Sequence, residues 1–464
     1  MTGRQYRKWG HMDADAIAAS VYSRLIERQI AIEPGRGFAY RPGELIVSER
    51  PSGSMPSGLP SPTDEQHFDE FETEEGFEEE VTHFLFTDIE DPVEQAEALR
   101  AAGFDASVNH VLFGNPAYLG NPAYLGNPAY LGNPAYLGNP EFMKNPFVRN
   151  GAIPVRQPKL WPEPGECSGE PPVVLVLDTG LATDSGGPAH PHLDTAEVHQ
   201  GWKVPAPGVD PSRTDEDETN EDADGFIDRQ AGHGTFIAGI VRSIAPNARI
   251  WTEGVLSSFG DGDDWDISRG LEEALARAHQ DVHGRIDVVN MSFGCFTDDD
   301  LPVKQPKVIR NRIVQAKQQG AVVVAAAGNA GSCRPFWPAA LSEVIGVGAT
   351  DDCGNRASFS NYGPWVDAWA PGVDVVSTFL FHDGPVDPGR IAGQQVPEWV
   401  EDPDDYRGWA MWSGTSFAAP RLAGAIARRM CEAGLSAEDA AREVLNPESP
   451  VLVEDLGIHI VVDQ

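Results

Sequence analysis

Gly414-Thr415-Ser416-Phe417-Ala418-Ala419-Pro420 sets a serine between small residues at the head of an apolar, helix-length stretch running from Leu422 to Met430. A nucleophilic hydroxyl needs that setting. Small neighbours let a substrate backbone come close, and a helix N-terminus brings backbone N–H groups and a positive dipole end to the reacting carbonyl. Two stretches far upstream supply the partners such a hydroxyl requires. Val173-Val174-Leu175-Val176-Leu177-Asp178 is an unbroken apolar run ending in an acid. It predicts a strand buried on both faces, as in a parallel sheet, with Asp178 at the carboxyl end, where open α/β sheets carry their sites. Gly232-His233-Gly234-Thr235-Phe236-Ile237-Ala238-Gly239 predicts a glycine-flanked turn with His233 opening a second helix.

The chain order Asp, His, Ser is one of those in which a catalytic triad occurs. A further apolar strand, Val322-Val323-Val324-Ala325-Ala326-Ala327, leads through Gly328 to Asn329. With these stand Asn290-Met291-Ser292-Phe293-Gly294, Ala357-Ser358-Phe359-Ser360-Asn361-Tyr362-Gly363 and Ala370-Pro371-Gly372. On these strings the chain resembles the subtilisin-like serine peptidases (subtilases, peptidase S8) over roughly 165–440. The resemblance implies an α/β fold, a central parallel sheet with helices on both faces. It implies Ser416 as nucleophile, His233 as general base and then acid, and Asp178 fixing the imidazole. The Asn329 amide and the Ser416 N–H would hold the oxyanion. It also implies that Ser292, Phe293 and Gly294 face Ala326, Ala327 and Gly328 across the substrate pocket. Small residues on the second wall leave room for a large side chain, but no sequence argument selects it. The acidic rim (Asp261, Asp263, Asp264, Asp266, and Asp298-Asp299-Asp300) suits basic substrate residues, or simply reflects an acidic protein. The expected function is a serine endopeptidase made as an autoinhibited precursor. The alternatives are a maturation peptidase dedicated to one partner or peptide precursor, and a non-catalytic binding protein on the same scaffold.

Charge narrows the partners. The 71 Asp and Glu outnumber 34 Lys and Arg, giving a formal net charge of −37. Nucleic acid, which needs a basic face, is not an expected partner; a polypeptide substrate is. No apolar run reaches the roughly 18 residues of a membrane span. Near the N-terminus, Arg4 to Lys8 are basic, but the following apolar stretch is broken by Asp13 and Asp15. Ile17, Val21 and Leu25 predict an amphipathic helix capped by Asp13, within a helical segment over 1–40. The expectation is a cytoplasmic protein made without a signal peptide, with secretion as the alternative. The five cysteines are odd in number and lack metal-ligand spacing, so no full disulfide framework is expected. The resemblance places Cys295 and Cys333 on segments lining one pocket, where either a bridge or two free thiols would fit.

The upstream half divides into three. Residues 41–113 predict strands at Glu44-Leu45-Ile46-Val47, Phe84-Leu85-Phe86 and Val108 to Phe113, and a helix from Pro92 to Ala102 with Gly103 beyond it. This α+β pattern resembles the subtilase propeptide, which assists folding and then inhibits the site, and so makes the chain's own N-terminal domain a partner. Within it, residues 50–81 turn from Pro/Ser/Gly-rich to acidic and are expected to be disordered, or to carry an interaction motif at Phe68, Phe71 and Phe77. Gly-Asn-Pro-Ala-Tyr-Leu then runs four times from Gly114 to Leu137, inside a linker over 114–164 that leads to the catalytic domain, 165–464. The repeat is read as a turn-rich spacer, or as a segment lying along the protease surface or into its cleft. Ser chemistry needs no cofactor. Asp222, Asp224 and Asp228 alternate around Gly225 in a manner that suits a structural Ca²⁺ ion or a solvated acidic loop.

Overall fold

The computed structural model describes residues 28–114, 152–198, 227–382 and 406–459, apart from short gaps inside those spans. The expected helix after Asp13, most of the repeat linker, and Asp222 and Asp224 lie outside them.

Ala39–Glu49 (β1), Asp64–Phe68 (β2), Val81–Phe86 (β3) and Asp105–Gly114 (β4) form an antiparallel sheet in the order β4-β1-β3-β2, crossed by the helix Pro92–Ala101 (α1). The helix starts where its signals put it. The Asp91 carboxylate accepts the Glu94 N–H at 2.9 Å, and Pro92, lacking an N–H, sits in the first turn. Alternation along the strands separates two faces. Leu45, Val47, Phe86 and Ala106 pack on Ala96 and Leu99 of α1. Ile46, Phe68 and Val81 turn the other way, onto Trp265 and Val308 of the C-terminal unit.

The strand β2 corrects the expectation of disorder over 50–81. Its carboxylate and amide find partners that local composition does not reveal. The Trp265 indole N–H and the Arg269 guanidinium donate to Asp64, at 2.8 and 2.7 Å. Gln66 donates to the Trp265 carbonyl at 3.0 Å and accepts from the Ser268 hydroxyl at 2.8 Å. Phe68 is fully buried, with the Arg312 guanidinium 4.5 Å over its ring.

The central sheet follows from the apolar runs. Val173–Asp178 (β5), Arg249–Gly254 (β6), Val288–Met291 (β8), Val322–Ala326 (β10), Ile345–Thr350 (β11) and Ala368–Pro371 (β12) lie parallel in the order β6-β5-β8-β10-β11-β12. Asp261–Asp263 (β7) and Phe293–Gly294 (β9) are short strands outside it, each paired with β4. Every residue of β5 is buried, because alternate side chains enter two cores. Val174 and Val176 meet Phe236, Ile237 and Val241 of the helix His233–Ile244 (α2) and Phe417 and Leu422 of Thr415–Ala433 (α5). Leu175 and Leu177 meet Ile267 and Leu271 of Asp264–Ala278 (α3) and Ile309 and Ile313 of Lys307–Gln318 (α4). Among the described residues no helix is long and apolar enough to cross a membrane.

Of the two alternatives for Cys295 and Cys333, the structure takes the free thiols. Cys295 and Cys333 are both free, Cys295 buried and Cys333 exposed. Cys295 exchanges two backbone hydrogen bonds with Trp337, which turns its thiol into the core beneath α3 and α4. A bridge that the sequence did not single out joins Cys167 to Cys431, Cα atoms 4.8 Å apart, tying the segment before β5 to the end of α5.

Charges hold the N-terminal sheet on the C-terminal unit. Arg28 donates to Asp261 at 2.5 Å, Arg41 to Asp263 at 2.9 Å, and Asn109 to Glu44 and Asp263 at 2.7 and 3.1 Å. Burial would push Asp261 up, but Arg28 and Arg41 outweigh it and hold the carboxyl at about 2. For Glu44, burial and then Asp263 prevail over Asn109 and Arg41 and push it up to about 6. A raised folded value means that the folded state holds the proton more tightly. The resulting stabilisation is complete below the unfolded value, about 4.3, and is lost as pH rises through about 6. Glu44→Gln is therefore expected to flatten part of the fall in melting temperature between pH 5 and 7, read by thermal denaturation of both chains across that range.

Candidate active site

The carboxyl ends of β5 and β10 and the N-termini of α2 and α5 meet at one edge of the sheet. Asp178 is the last residue of β5, and its backbone carbonyl accepts the Val255 and Leu256 N–H groups at 2.8 and 3.0 Å. Its Oδ1 accepts the Thr179 N–H at 2.8 Å and pairs with His233 Nδ1 at 2.6 Å. A carboxylate only accepts, so Nδ1 carries a proton, and in the neutral ring Nε2 is the atom with the lone pair. Asp178 and His233 are both fully buried. His233 Nε2 has no hydrogen-bond partner among the described residues.

The start of α2 is held close to the turn after β5. The Gly234 N–H donates to Thr179 Oγ1 at 2.9 Å, and a Cβ at Gly234 would overlap the Gly180 carbonyl oxygen. That oxygen is backbone and cannot swing aside. Gly234→Ala is expected to displace His233 from Asp178 and to cost about 1–3 kcal/mol of stability as overpacking, measured by chemical denaturation.

Ser416 lies at the second position of α5, and the ring of Phe417, the next residue, is 5.6 Å from the His233 ring between centroids. Trp412, just before the helix, stands edge-on to His233 at the same distance. The Ser416 hydroxyl donates to the Ser292 carbonyl at 3.1 Å. The Ser292 hydroxyl donates back to the Ser416 carbonyl at 2.9 Å. Pro420 explains the second bond. It occupies the position whose N–H would close the helical bond to the Ser416 carbonyl, and it has none to give.

Asn329 is fixed by the residue before Ser416. Thr415 donates to Asn329 Oδ1 from its backbone N–H at 2.9 Å and from its hydroxyl at 3.0 Å. A backbone N–H identifies the atom it meets as the acceptor, so the amide NH₂ is the end turned away from Thr415. The Gly328 N–H donates to Thr415 Oγ1 at 3.0 Å, and Asn361 donates to the Ala327 carbonyl at 2.7 Å. Ala326 and Ala327 are fully buried.

A strand fills the groove beside these residues. The end of β4 runs between β7 and β9, antiparallel to both: Val111, Leu112 and Phe113 face Asp263, Gly262 and Asp261, while Phe113 and Gly114 face Gly294 and Phe293. Gln230, three residues before His233, donates to the Gly114 carbonyl at 3.1 Å. Ser292 and Ser416 have no solvent exposure.

Three carboxylates of the acidic rim, those of Asp261, Asp263 and Asp264, are engaged within the chain. Asp261 and Asp263 serve Arg28 and Arg41, Asp263 also caps α3 through the Asp266 N–H at 3.0 Å, and Asp264 caps α4 through the Ile309 N–H at 2.8 Å. Burial pushes Asp264 up to about 7. Asp298, Asp299 and Asp300 lie outside the described residues. Of the three residues expected around a calcium ion, Asp228 alone is described; it is buried and accepts the Ser258 hydroxyl at 2.5 Å. Among the described residues no three His, Cys, Asp or Glu converge as a metal site. Sequence reasoning missed Thr179, Gln230 and Thr415 as supports. Thr415 stood inside the serine motif, whereas nothing in the sequence singles out Gln230.

Comparison with known proteins covers the same span. The model of the subtilase family matches residues 169–447. The chain is 34% identical over 254 residues to a thermophilic serine proteinase of Bacillus sp. (strain AK1), covering 55% of this chain and 51% of that protein. It is 32% identical over 263 residues to Subtilisin Savinase of Lederbergia lenta, covering 55% of this chain and 74% of that protein. The chain thus spans about half the length of the thermophilic proteinase. A solved structure of a cold adapted subtilisin-like serine proteinase is 22% identical with a TM-score of 0.46, covering 68% of this chain and 97% of that one. Since the matched span takes in Asp178, His233, Asn329 and Ser416 and more than half of the chain, the chain belongs to the subtilase family.

Proposed function

We propose that the chain is a serine endopeptidase using Asp178, His233 and Ser416, made as a precursor inhibited by its own N-terminal sheet. The observation that carries this reading is the buried Asp178–His233 bond of 2.6 Å, with Nε2 left as a base beside the helix that presents Ser416. The Ser416 hydroxyl turns from the Ser292 carbonyl to Nε2 and attacks the scissile carbonyl as its proton passes to His233. The imidazolium, stabilised by Asp178, returns that proton to the leaving amine, and water repeats the cycle on the acyl-enzyme. The Asn329 NH₂ and the Ser416 N–H would hold the oxyanion. A polypeptide substrate would lie as a strand between β7 and β9, in the place taken by the end of β4.

The occupied groove supports the precursor reading, because a chain with that strand in place cannot admit another. Wild type is expected to cut itself within 114–165, and Ser416→Ala to remain whole; intact mass and N-terminal mapping read both. A wild-type chain that stays whole while hydrolysing added peptides would contradict autoinhibition but leave the peptidase intact.

A further inference from the structure

Residues 111–116 read Val-Leu-Phe-Gly-Asn-Pro, and Ala-Tyr-Leu-Gly-Asn-Pro follows from Ala117, Ala123, Ala129 and Ala135. The groove-bound end of β4 is thus the first of five consecutive hexapeptides in one frame. All five share Gly-Asn-Pro, and each places apolar or aromatic residues before the glycine.

The contacts of the bound copy say which features the groove reads. Its register with β7 and β9 is made by main chain, which any sequence can supply. The Gly114 N–H donates to the Gly260 carbonyl at 2.8 Å, and the Gly114 carbonyl accepts from Gln230. Leu112 enters the core that contains Leu256, Ile267 and Phe293, so this position asks for an apolar side chain. The glycine is demanded more strictly. A Cβ there would overlap Gln230 Oε1 and lie 2.9 Å from its Cδ. Gln230 is 3% exposed, and its far side rests on Gly260, where a Cβ would overlap it again. Gln230 therefore fills the space a side chain at position 114 would need.

We propose that the groove between β7 and β9 is a glycine-selective peptide site, gated by Gln230, and that the four Ala-Tyr-Leu-Gly copies are reserve occupants of it. Each copy carries the required glycine, with leucine before it and tyrosine before that. Tyrosine in place of Leu112 is bulkier and alanine in place of Val111 smaller, so each copy binds more weakly than the resident segment. Covalent linkage offsets this, since a tethered segment that can span to its site is presented at about millimolar effective concentration. The inhibitory consequence rests on the peptidase reading above; the binding does not.

Hydrogen–deuterium exchange of the segments 260–263 and 293–294 tests it, in the Ser416→Ala background so that nothing is cut. Four chains are compared: intact, Gly114→Ala, a deletion of residues 117–140, and the two changes combined. The first three are expected to keep the groove protected. The combined chain is expected to exchange faster by about a hundredfold or more, the lower end of what tethering a second occupant adds. Gly114→Ala exchanging as fast as the combined chain would overturn reserve occupancy. Full protection in the combined chain would overturn the glycine requirement. Should Gly114→Ala fail to fold, Val111→Ala/Leu112→Tyr/Phe113→Leu makes the resident segment a copy of the repeat. It is expected to stay docked, and its loss of protection alone would overturn the proposal. Exchange reports the groove whether or not the chain hydrolyses peptides.

Discussion

Ser416→Ala is expected to lower peptide hydrolysis by at least about 10⁴-fold, the scale on which removing one member of such a triad acts. The hydroxyl supplies the bond-forming oxygen, and no neighbour can replace it. Ser292, which exchanges hydrogen bonds with Ser416, presents its own hydroxyl to the Ser416 carbonyl and not to His233. The stability cost is small by comparison. The Ser416 hydroxyl donates to the Ser292 carbonyl, and losing such a bond costs about 0.5–1.5 kcal/mol. The variant should melt within a few degrees of wild type. Initial rates on a peptide library, beside a thermal melt, separate the two effects. A rate fall matched by a collapse in melting temperature would mean that Ser416 matters for folding and not for chemistry.

Asp178→Asn is expected to cost about 10⁴-fold in kcat with the fold retained. Oδ1 of Asp178 accepts both the Thr179 N–H and the His233 Nδ1 proton. An asparagine either keeps its oxygen at that position, serving both bonds without the negative charge, or turns its NH₂ there, which gives up the Thr179 bond and forces the His233 proton onto Nε2. In the first case the imidazolium is no longer stabilised; in the second the base is blocked. With the substrate bound as proposed, between β7 and β9 and away from Asp178, KM is expected to change little. A variant that loses affinity while keeping its kcat would place Asp178 in binding and not in proton transfer.

How much of this the sequence disclosed depends on whether the cause was local. The run from Val173 to Asp178 fixes a doubly buried strand because its own side chains are apolar at every position, and the structure divides them between two cores. Asp91, Pro92 and Gly103 delimit α1 through backbone chemistry that acts within a turn. Asp64–Phe68 was opaque for the opposite reason. Its carboxylate and amide are satisfied by Trp265, Ser268 and Arg269, some two hundred residues on, and composition carries no trace of a partner that distant. The Cys167–Cys431 bridge was hidden likewise, its cysteines being 264 residues apart. At the site, Asp178, His233, Asn329 and Ser416 each stood in a motif with its own glycines and apolar flank. Gln230 did not, since its role comes from what lies against it, Gly114 and Gly260, and not from its neighbours in sequence.

The central claim is that His233 makes the Ser416 hydroxyl reactive. A fluorophosphonate reagent, which bonds covalently to an activated serine, reads this directly when the chain freed of its residues 1–114 is treated and the adduct is located by mass spectrometry. The expected result is one adduct on Ser416, formed at least about a hundredfold faster than in His233→Ala, since general-base assistance contributes about 10²–10⁴. An unmodified Ser416, or labelling at the same rate without His233, would contradict the account.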